Sequence, residues 1–306
     1  MVDAAVFAPS PLLTVTIEQD PNGEAEVHLH AGGQGFWIAR MVVALGGGAS
    51  LCAPLGGEGG PVLRALVEAE GVTPISGATT RSNGAYVHDR RDGDRTVVAQ
   101  MRPAVLSRHE VDALFSATLA AGLAADVAVL GGPHAPDVVP ADVYRRLAAD
   151  LRSAGVDVVA DLSGEPLTAA LEGGVTVIKV SHEDLMEDGR LADDDPATLQ
   201  EAMHDLAREG ASHVVISRGA DPTMALVDGE PLTIAGPQMQ LVDHRGAGDS
   251  MTAGMAVALG GGEDMREALR LGAAAGTANV TRKGLATGQR RLVEQLARRI
   301  DVQPLR

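Results

Sequence analysis

Aromatic residues make up only 2% of this 306-residue chain, three Phe, two Tyr and one Trp, so the interior has to be packed from Ala, Val, Leu and Ile. The single cysteine, Cys52, excludes an intramolecular disulfide framework. Lysine is almost missing: Lys179 and Lys283 stand beside 23 arginines. No apolar run reaches the roughly 20 residues needed to span a bilayer. The opening MVDAAVFAPS lacks the basic start and apolar stretch of a secretory signal. The expectation is a cytoplasmic protein with no membrane insertion. Cationic charge is also short, with a formal net charge of −16 and a pI of about 4.9, so phosphate polymers are repelled and nucleic acid is not an expected partner. Nucleotides remain open, because amide dipoles, Arg, Lys or a metal ion can reverse the sign inside a cleft.

What is present is a hydrophobic fraction of 45% arranged in a βαβ rhythm. DVAVLGG, VDVVADLS, VTVIKVS and SHVVISRG read as buried strands that end in small or polar residues. Between them, PADVYRRLAADLRSAG and PATLQEAMHDLAREG read as amphipathic helices opened by Pro and closed by Gly. The pattern predicts an α/β fold, a mostly parallel central sheet flanked by helices. Ligands in such sheets bind beyond the strand carboxyl ends. That singles out Gly131 and Gly132, Asp161 to Gly164, Lys179 to Asp184, and Ser217 to Asp221.

Two segments break the rhythm. LLTVTIEQDPNGEAEVHLH and NGAYVHDRRDGDRTVVAQ read as strand–turn–strand, with Asn22-Gly23 and Asp92-Gly93 at the turns. Together they predict a small β-sheet lid over about residues 12–30 and 80–100, within a single domain spanning 1–306. His28, His30, His88 and His134 have no metal-ligand spacing and read as lid or loop histidines.

The strongest chemical signal is DHRGAGDSMTAGMAVALG. Gly246, Ala247 and Gly248 form a small-residue turn whose amides can approach a ligand, and Asp249 then opens a helix with Met251, Met255 and Leu259 on one face. Amides and a helix dipole aimed at one point suit the charge on a transferring phosphoryl group. A carboxylate there can take the proton of an attacking hydroxyl, or simply cap the helix. Taken alone, Gly-Ala-Gly-Asp leaves both readings open.

GAGDSMTAG resembles the C-terminal signature of ribokinase-like (PfkB) carbohydrate kinases, and AGGQGFWIARMVVALGG at residues 31–47 is similar to their second, glycine-rich signature. The segments between fall in the order seen in the 1-phosphofructokinase and tagatose-6-phosphate kinase branch, so the resemblance covers nearly the whole chain. It implies a ribokinase-like fold, a β lid over a sugar or sugar-phosphate substrate, ATP with Mg²⁺, and a homodimer through the lids. By position it implies Asp249 as proton acceptor and Gly246, Ala247 and Gly248 as anion hole. It places Lys179, Ser181, Asp184, Ser217, Gly219 and Asn279 around ATP, with Asp184 near the metal through water. The substrate-binding positions would be Gly32, Gly33, Gln34, Trp37, Arg81 and Asn83.

Several family positions have changed. Gln34 stands for a lysine, Trp37 for an asparagine, Ser181 and Asp184 for Asn and Glu, Pro222 for a glycine, and His244-Arg245 for a threonine-containing pair. A neutral Gln34 weakens the case for a phosphorylated sugar, while Arg81 and Asn83 match a segment that phosphosugar kinases use near substrate. Two readings stand: an ATP-dependent sugar kinase, and a catalytically weak member acting as a sugar or nucleotide sensor. A dehydrogenase or P-loop enzyme is not supported, since neither a convincing G-x-G-x-x-G after an early strand nor G-x-x-x-x-G-K-[ST] is present.

Overall fold

The structure is a computed structural model that describes residues 1–77, 79–93, 95–237, 239–282 and 285–305. Lys283, the second lysine, lies outside the described residues. The chain begins with strand β1 (Asp3–Phe7), the hairpin β2 (Leu12–Gln19) and β3 (Ala25–Gly32), helix α1 (Gln34–Ala44) and β4 (Gly48–Cys52). Next come α2 (Gly60–Ala69), β5 (Thr73–Ile75) and the hairpin β6 (Gly84–Asp89) and β7 (Thr96–Met101). The βαβ region follows as α3 (Arg108–Ala124), β8 (Val127–Gly131), α4 (Asp142–Ser153), β9 (Asp157–Asp161), α5 (Gly164–Gly173), β10 (Val175–Ser181), α6 (His182–Glu187), α7 (Pro196–Glu209) and β11 (Ala211–Arg218). The last part holds β12 (Asp221–Val227), β13 (Glu230–Ala235), α8 (Ala247–Gly260), α9 (Met265–Val280), α10 (Arg290–Ala297) and β14 (Asp301–Pro304).

Ten strands form one sheet in the order β14-β13-β12-β11-β10-β9-β8-β1-β4-β5. The run from β11 to β5 is parallel, and β12 to β14 continue it antiparallel. Side-chain alternation splits the core in two. Val6, Val127, Val129 and Val159 pack with α1, α8 and α9, whereas Phe7, Leu130, Val158 and Ala160 pack with α3, α4 and α5 on the other face. With so few rings, close packing relies on small residues: a Cβ on Gly35 would lie 2.4 Å from the Cβ of Ala8, so α1 rests directly on the end of β1.

The two expected hairpins form a separate four-stranded sheet, β3-β2-β6-β7, in which β2 and β6 run parallel. Its two faces differ in kind. Tyr86, His88, Thr16 and His28 share one face, while Val15, Ile17, Val27, Leu29 and Val87 share the other. No helix of the described residues is long and apolar enough to cross a membrane.

Candidate active site

The parallel strands β8, β9 and β10 end side by side, with Gly131 opposite Asp161 and Asp161 opposite Lys179. Lys179 Nζ lies 3.2 Å from both carboxylate oxygens of Asp161, and both side chains are buried. Thr252 of α8, itself buried, donates to Asp161 Oδ2 at 2.7 Å. A buried ion pair holds only when its remaining lone pairs are satisfied, and Thr252 does that here. Burial disfavours the Lys179 ammonium, but the carboxylates of Asp161, Asp249 and Asp184 outweigh it and raise its pKa, so the lysine stays charged.

α8 starts at Ala247, two residues earlier than the sequence pattern suggests, because Gly246 adopts left-handed φ 72 and serves as the N-cap. Asp249 is therefore in the first helical turn, and its carboxylate makes no hydrogen bond to any described residue, which removes the capping reading. Part of its surface meets solvent. Burial of the rest, together with the nearby charge of Asp161, raises its pKa to about 7 against the opposing pull of Lys179. Gly248 lies close under Lys179: a Cβ there would be 2.6 Å from Lys179 Nζ, so the ammonium would have to shift. Among the described residues the amides of Gly248 and Asp249 have no partner, so they are unspent donors at a helix N-terminus.

In front of the strand ends lies a cleft of about 460 Å³, lined in part by Ser10, Gly33, Gln34, His134, Asp161 and Asp184. Gln34 Oε1 accepts from the Gly132 amide at 2.5 Å, fixing its amide group at the mouth of α1. Ser10 is buried and its hydroxyl has no partner among the described residues, which leaves a donor for a ligand. The small sheet reaches the same place, where Tyr86 OH is hydrogen-bonded to His134 Nε2 and accepts from Gln100 Nε2 at 2.9 Å. Desolvation lowers the pKa of His134, with Arg102 adding to the effect.

The remaining expected positions divide. Ser181 caps α6, accepting from the Asp184 amide at 3.0 Å and donating to Asp184 Oδ2 at 2.5 Å, so the two form one unit at the cleft. Ser217, next to last in β11, pairs with Ser181, and its carbonyl faces His182 Nδ1 at 3.3 Å. Gly219 occupies the exposed turn beyond it at φ 60.

Asn279 is fully buried. It donates to the Arg245 carbonyl at 2.6 Å and accepts from the Ala286 amide at 2.8 Å, so its side chain shapes the loop before α8. Gly32 packs inside the lid base, where a Cβ would lie 2.9 Å from Thr14 Oγ1. Trp37 is not among the residues lining the cleft and packs edge-on against Phe36 with ring centroids 4.9 Å apart. Arg81 points its Nε at Glu110, 3.4 Å away, in a separate shallow pocket. Buried Asn83 clamps the Pro54 carbonyl and the Gly56 amide at 2.7 and 3.0 Å.

Sequence reasoning singled out Asp161 only as a polar strand end, read His134 as a lid or loop histidine, and did not nominate Thr252 or Ser10. Asp161 carried a readable signal, a carboxylate closing a buried strand. The other three did not.

A buried Lys–Asp pair and a raised aspartate at a glycine-rich helix mouth, at the carboxyl ends of a parallel sheet, are suited to transferring a phosphoryl group to a hydroxyl. Residues 3–291 match the pfkB family of carbohydrate kinases, and the chain belongs to that family. It is 31% identical over 269 residues to the ATP-dependent 6-phosphofructokinase isozyme 2 of Mycobacterium tuberculosis strain H37Rv, covering 86% of this chain and 78% of the relative. It is 27% identical over 280 residues to the Escherichia coli K12 protein of the same name, covering 89% of each. The crystal structure of Escherichia coli phosphofructokinase-2 in complex with potassium superposes with TM-score 0.83 at 24% identity, over 97% of this chain and 99% of that one.

Proposed function

We propose that this protein transfers the γ-phosphoryl group of ATP to a hydroxyl of a sugar phosphate, with Asp249 as general base. The observation that carries the reading is the state of Asp249: a carboxylate without a hydrogen-bond partner, pushed up to about 7, beside a helix mouth with unpaired amides. A base with a pKa near ambient pH is well matched to proton transfer. As the acceptor oxygen attacks, its proton passes to the Asp249 carboxylate. Charge on the transferred group is met by the Gly248 and Asp249 amides and by Lys179, which Asp161 holds in place.

Among the described residues no three His, Cys, Asp or Glu gather to hold a metal. That suits Mg²⁺, which keeps its waters and is bound largely by substrate phosphates. Asp184 Oδ1 at the cleft is the group to meet it through water, where the ion would neutralise phosphate charge. The relatives' names favour a phosphorylated hexose as acceptor.

The exposed apolar face of the lid, with Val27 61% and Leu29 49% exposed, supports a homodimer formed lid to lid. The buried lone cysteine and the absence of a long apolar helix among the described residues fit work in the cytoplasm. The complete Asp249, Lys179 and Asp161 array favours a kinase over a sensor.

The test is ADP release with ATP and Mg²⁺ over fructose 6-phosphate, fructose 1-phosphate, tagatose 6-phosphate and free hexoses. One acceptor is expected to turn over, and Asp249→Asn to lower kcat by about 10² to 10⁴ with little change in KM. Binding of sugar or nucleotide without turnover of any acceptor would favour the sensor.

A further inference from the structure

Beyond the base and its partners, the cleft is lined by three uncharged side chains with donors to spare. Ser10 is buried with its hydroxyl unpartnered among the described residues, and it lies against the mouth of α1, where a Cβ on Gly33 would be 2.7 Å from its carbonyl oxygen. Gln34 gives its Oε1 to the Gly132 amide at 2.5 Å, so its Nε2 group is left to donate. His134, two residues past Gly132, lines the same cleft, and no lysine or arginine does. Neutral donors beside carboxylates suit the hydroxyl-bearing body of a sugar, whereas an acceptor's phosphate finds no side-chain cation in that lining.

The His134 ring is held by its own loop and by the lid. Pro133 precedes it, and Ala135 after it is buried and accepts from the Val138 amide at 3.2 Å, so the loop between β8 and α4 has little freedom. From the lid, Tyr86 OH bonds to His134 Nε2, and the two rings meet edge-on with centroids 5.3 Å apart. Tyr86 is itself fixed. It stacks on buried His88 at 5.4 Å, and Gln100, its direct partner across the β6–β7 ladder, donates to its oxygen at 2.9 Å.

Those bonds decide where the protons sit. With Gln100 donating to the Tyr86 oxygen, the one phenolic proton goes to His134 Nε2, which therefore accepts. Desolvation, with the charge of Arg102 behind it, lowers the pKa of His134 and keeps the ring neutral, so its own proton is on Nδ1. That Nδ1–H has no hydrogen-bond partner among the described residues.

We propose that His134 is a further acceptor-binding residue: its Nδ1–H, with Ser10 Oγ and Gln34 Nε2, holds hydroxyl oxygens of the sugar, and Tyr86 and Gln100 of the lid fix the tautomer in which it can donate. This rests on the reading of the cleft as the acceptor site of a sugar kinase. Lid and donor are coupled by it, because a lid that lifts takes Tyr86 away and frees the ring to move its proton to Nε2.

The test uses the full chain with His134→Gln, His134→Asn and Tyr86→Phe, each checked for folding by circular dichroism. The amide of Gln stands near the place of Nε2 and that of Asn near the place of Nδ1. His134→Gln therefore keeps a partner for Tyr86 and loses the donor, and His134→Asn does the opposite. Calorimetry without ATP measures binding of fructose 6-phosphate, fructose 1-phosphate, tagatose 6-phosphate and free fructose, and of the monodeoxy analogues of whichever binds. Steady-state kinetics give the KM for that acceptor and for ATP. His134→Gln is expected to weaken acceptor binding about three- to tenfold, the loss of one neutral hydrogen bond. It is expected to lose more than His134→Asn and to leave the KM for ATP within about twofold. With the one monodeoxy analogue that lacks the contacted hydroxyl, wild type and His134→Gln are expected to bind alike. Tyr86→Phe is expected to fall between wild type and His134→Gln.

A loss in His134→Asn as large as that in His134→Gln, or larger, overturns the assignment and leaves His134 a lid contact only. So does a loss of the same size with every monodeoxy analogue, or no binding of any of the four sugars by wild type. Histidine-dependent sugar binding without turnover sinks the kinase reading and leaves His134 standing. Turnover and binding indifferent to His134→Gln do the reverse.

Discussion

Asp249, the proposed base, ties the proposed chemistry of this chain to its stability. Its pKa rises from an ordinary aspartate value of 3.8 to about 7 in the folded protein, so between those values the native state holds a proton that the unfolded chain has lost. Stability therefore falls as pH rises through that window, and the loss is complete above about pH 7. Asp249→Asn removes the effect. It should match wild type in Tm near pH 4, gain on it as pH rises, and hold a constant advantage above pH 7 in a thermal-melt series. Activity runs the other way, since only the deprotonated carboxylate accepts a proton: kcat/KM should climb through pH 7 in wild type. A flat difference in Tm between pH 4 and 8 would show that Asp249 is not shifted.

At the scale of elements, the mouth of α8 is assembled from three directions. Gly246 turns the chain, Asn279 of α9 holds the Arg245 carbonyl, and Lys179 of β10 fills the space against Gly248. The contact at Gly248 is with the flexible end of a lysine, so Gly248→Ala does not break the helix. The added methyl displaces Lys179 Nζ from Asp161 instead. We expect Gly248→Ala to keep its fold by circular dichroism while kcat drops about tenfold or more, with a smaller effect on the KM for the acceptor. The lid base is secured differently. Ser107 and Glu110 form a capping box on α3, and Glu110 also takes Thr79 and Arg81, so one carboxylate starts a helix and anchors the loop leading to β6. Those hydrogen bonds, Ser107 first, hold Glu110 down at about 2.

On the scale of the whole molecule, the lid has two faces of different chemistry. The face with Tyr86 and His88 meets the cleft through the contact of Tyr86 with His134, and the face with Val27 and Leu29 is left bare. A double variant, Val27→Glu with Leu29→Glu, places charge on the bare face without touching the polar one. Wild type is expected to sediment as a dimer and the variant as a monomer. A wild type that sediments as a monomer would leave the apolar face without a partner of its own kind.

Much of this organisation is written locally. The βαβ rhythm from residue 126 to 219, the two hairpin turns and the glycine-rich helix mouths depend on period, turn residues and φ preferences that neighbours in sequence set, and they are legible without coordinates. Asp249 was nominated by the family resemblance, since Gly-Ala-Gly before a helix by itself left base and cap open, and only the coordinates show its carboxylate without a hydrogen-bond partner among the described residues. The pairing of Asp161 with Lys179 and Thr252 was not legible, since 91 residues separate Thr252 from Asp161 and only strand order brings them together. The same holds for Arg81, Asn83, Trp37 and Asn279: residue type and motif position nominated them, but packing turned Trp37 toward Phe36, Arg81 toward Glu110, and both amides onto backbone groups. Local sequence sets which backbone shapes a segment can adopt; which buried polar group meets which partner depends on long-range contacts that form only when the sheet closes.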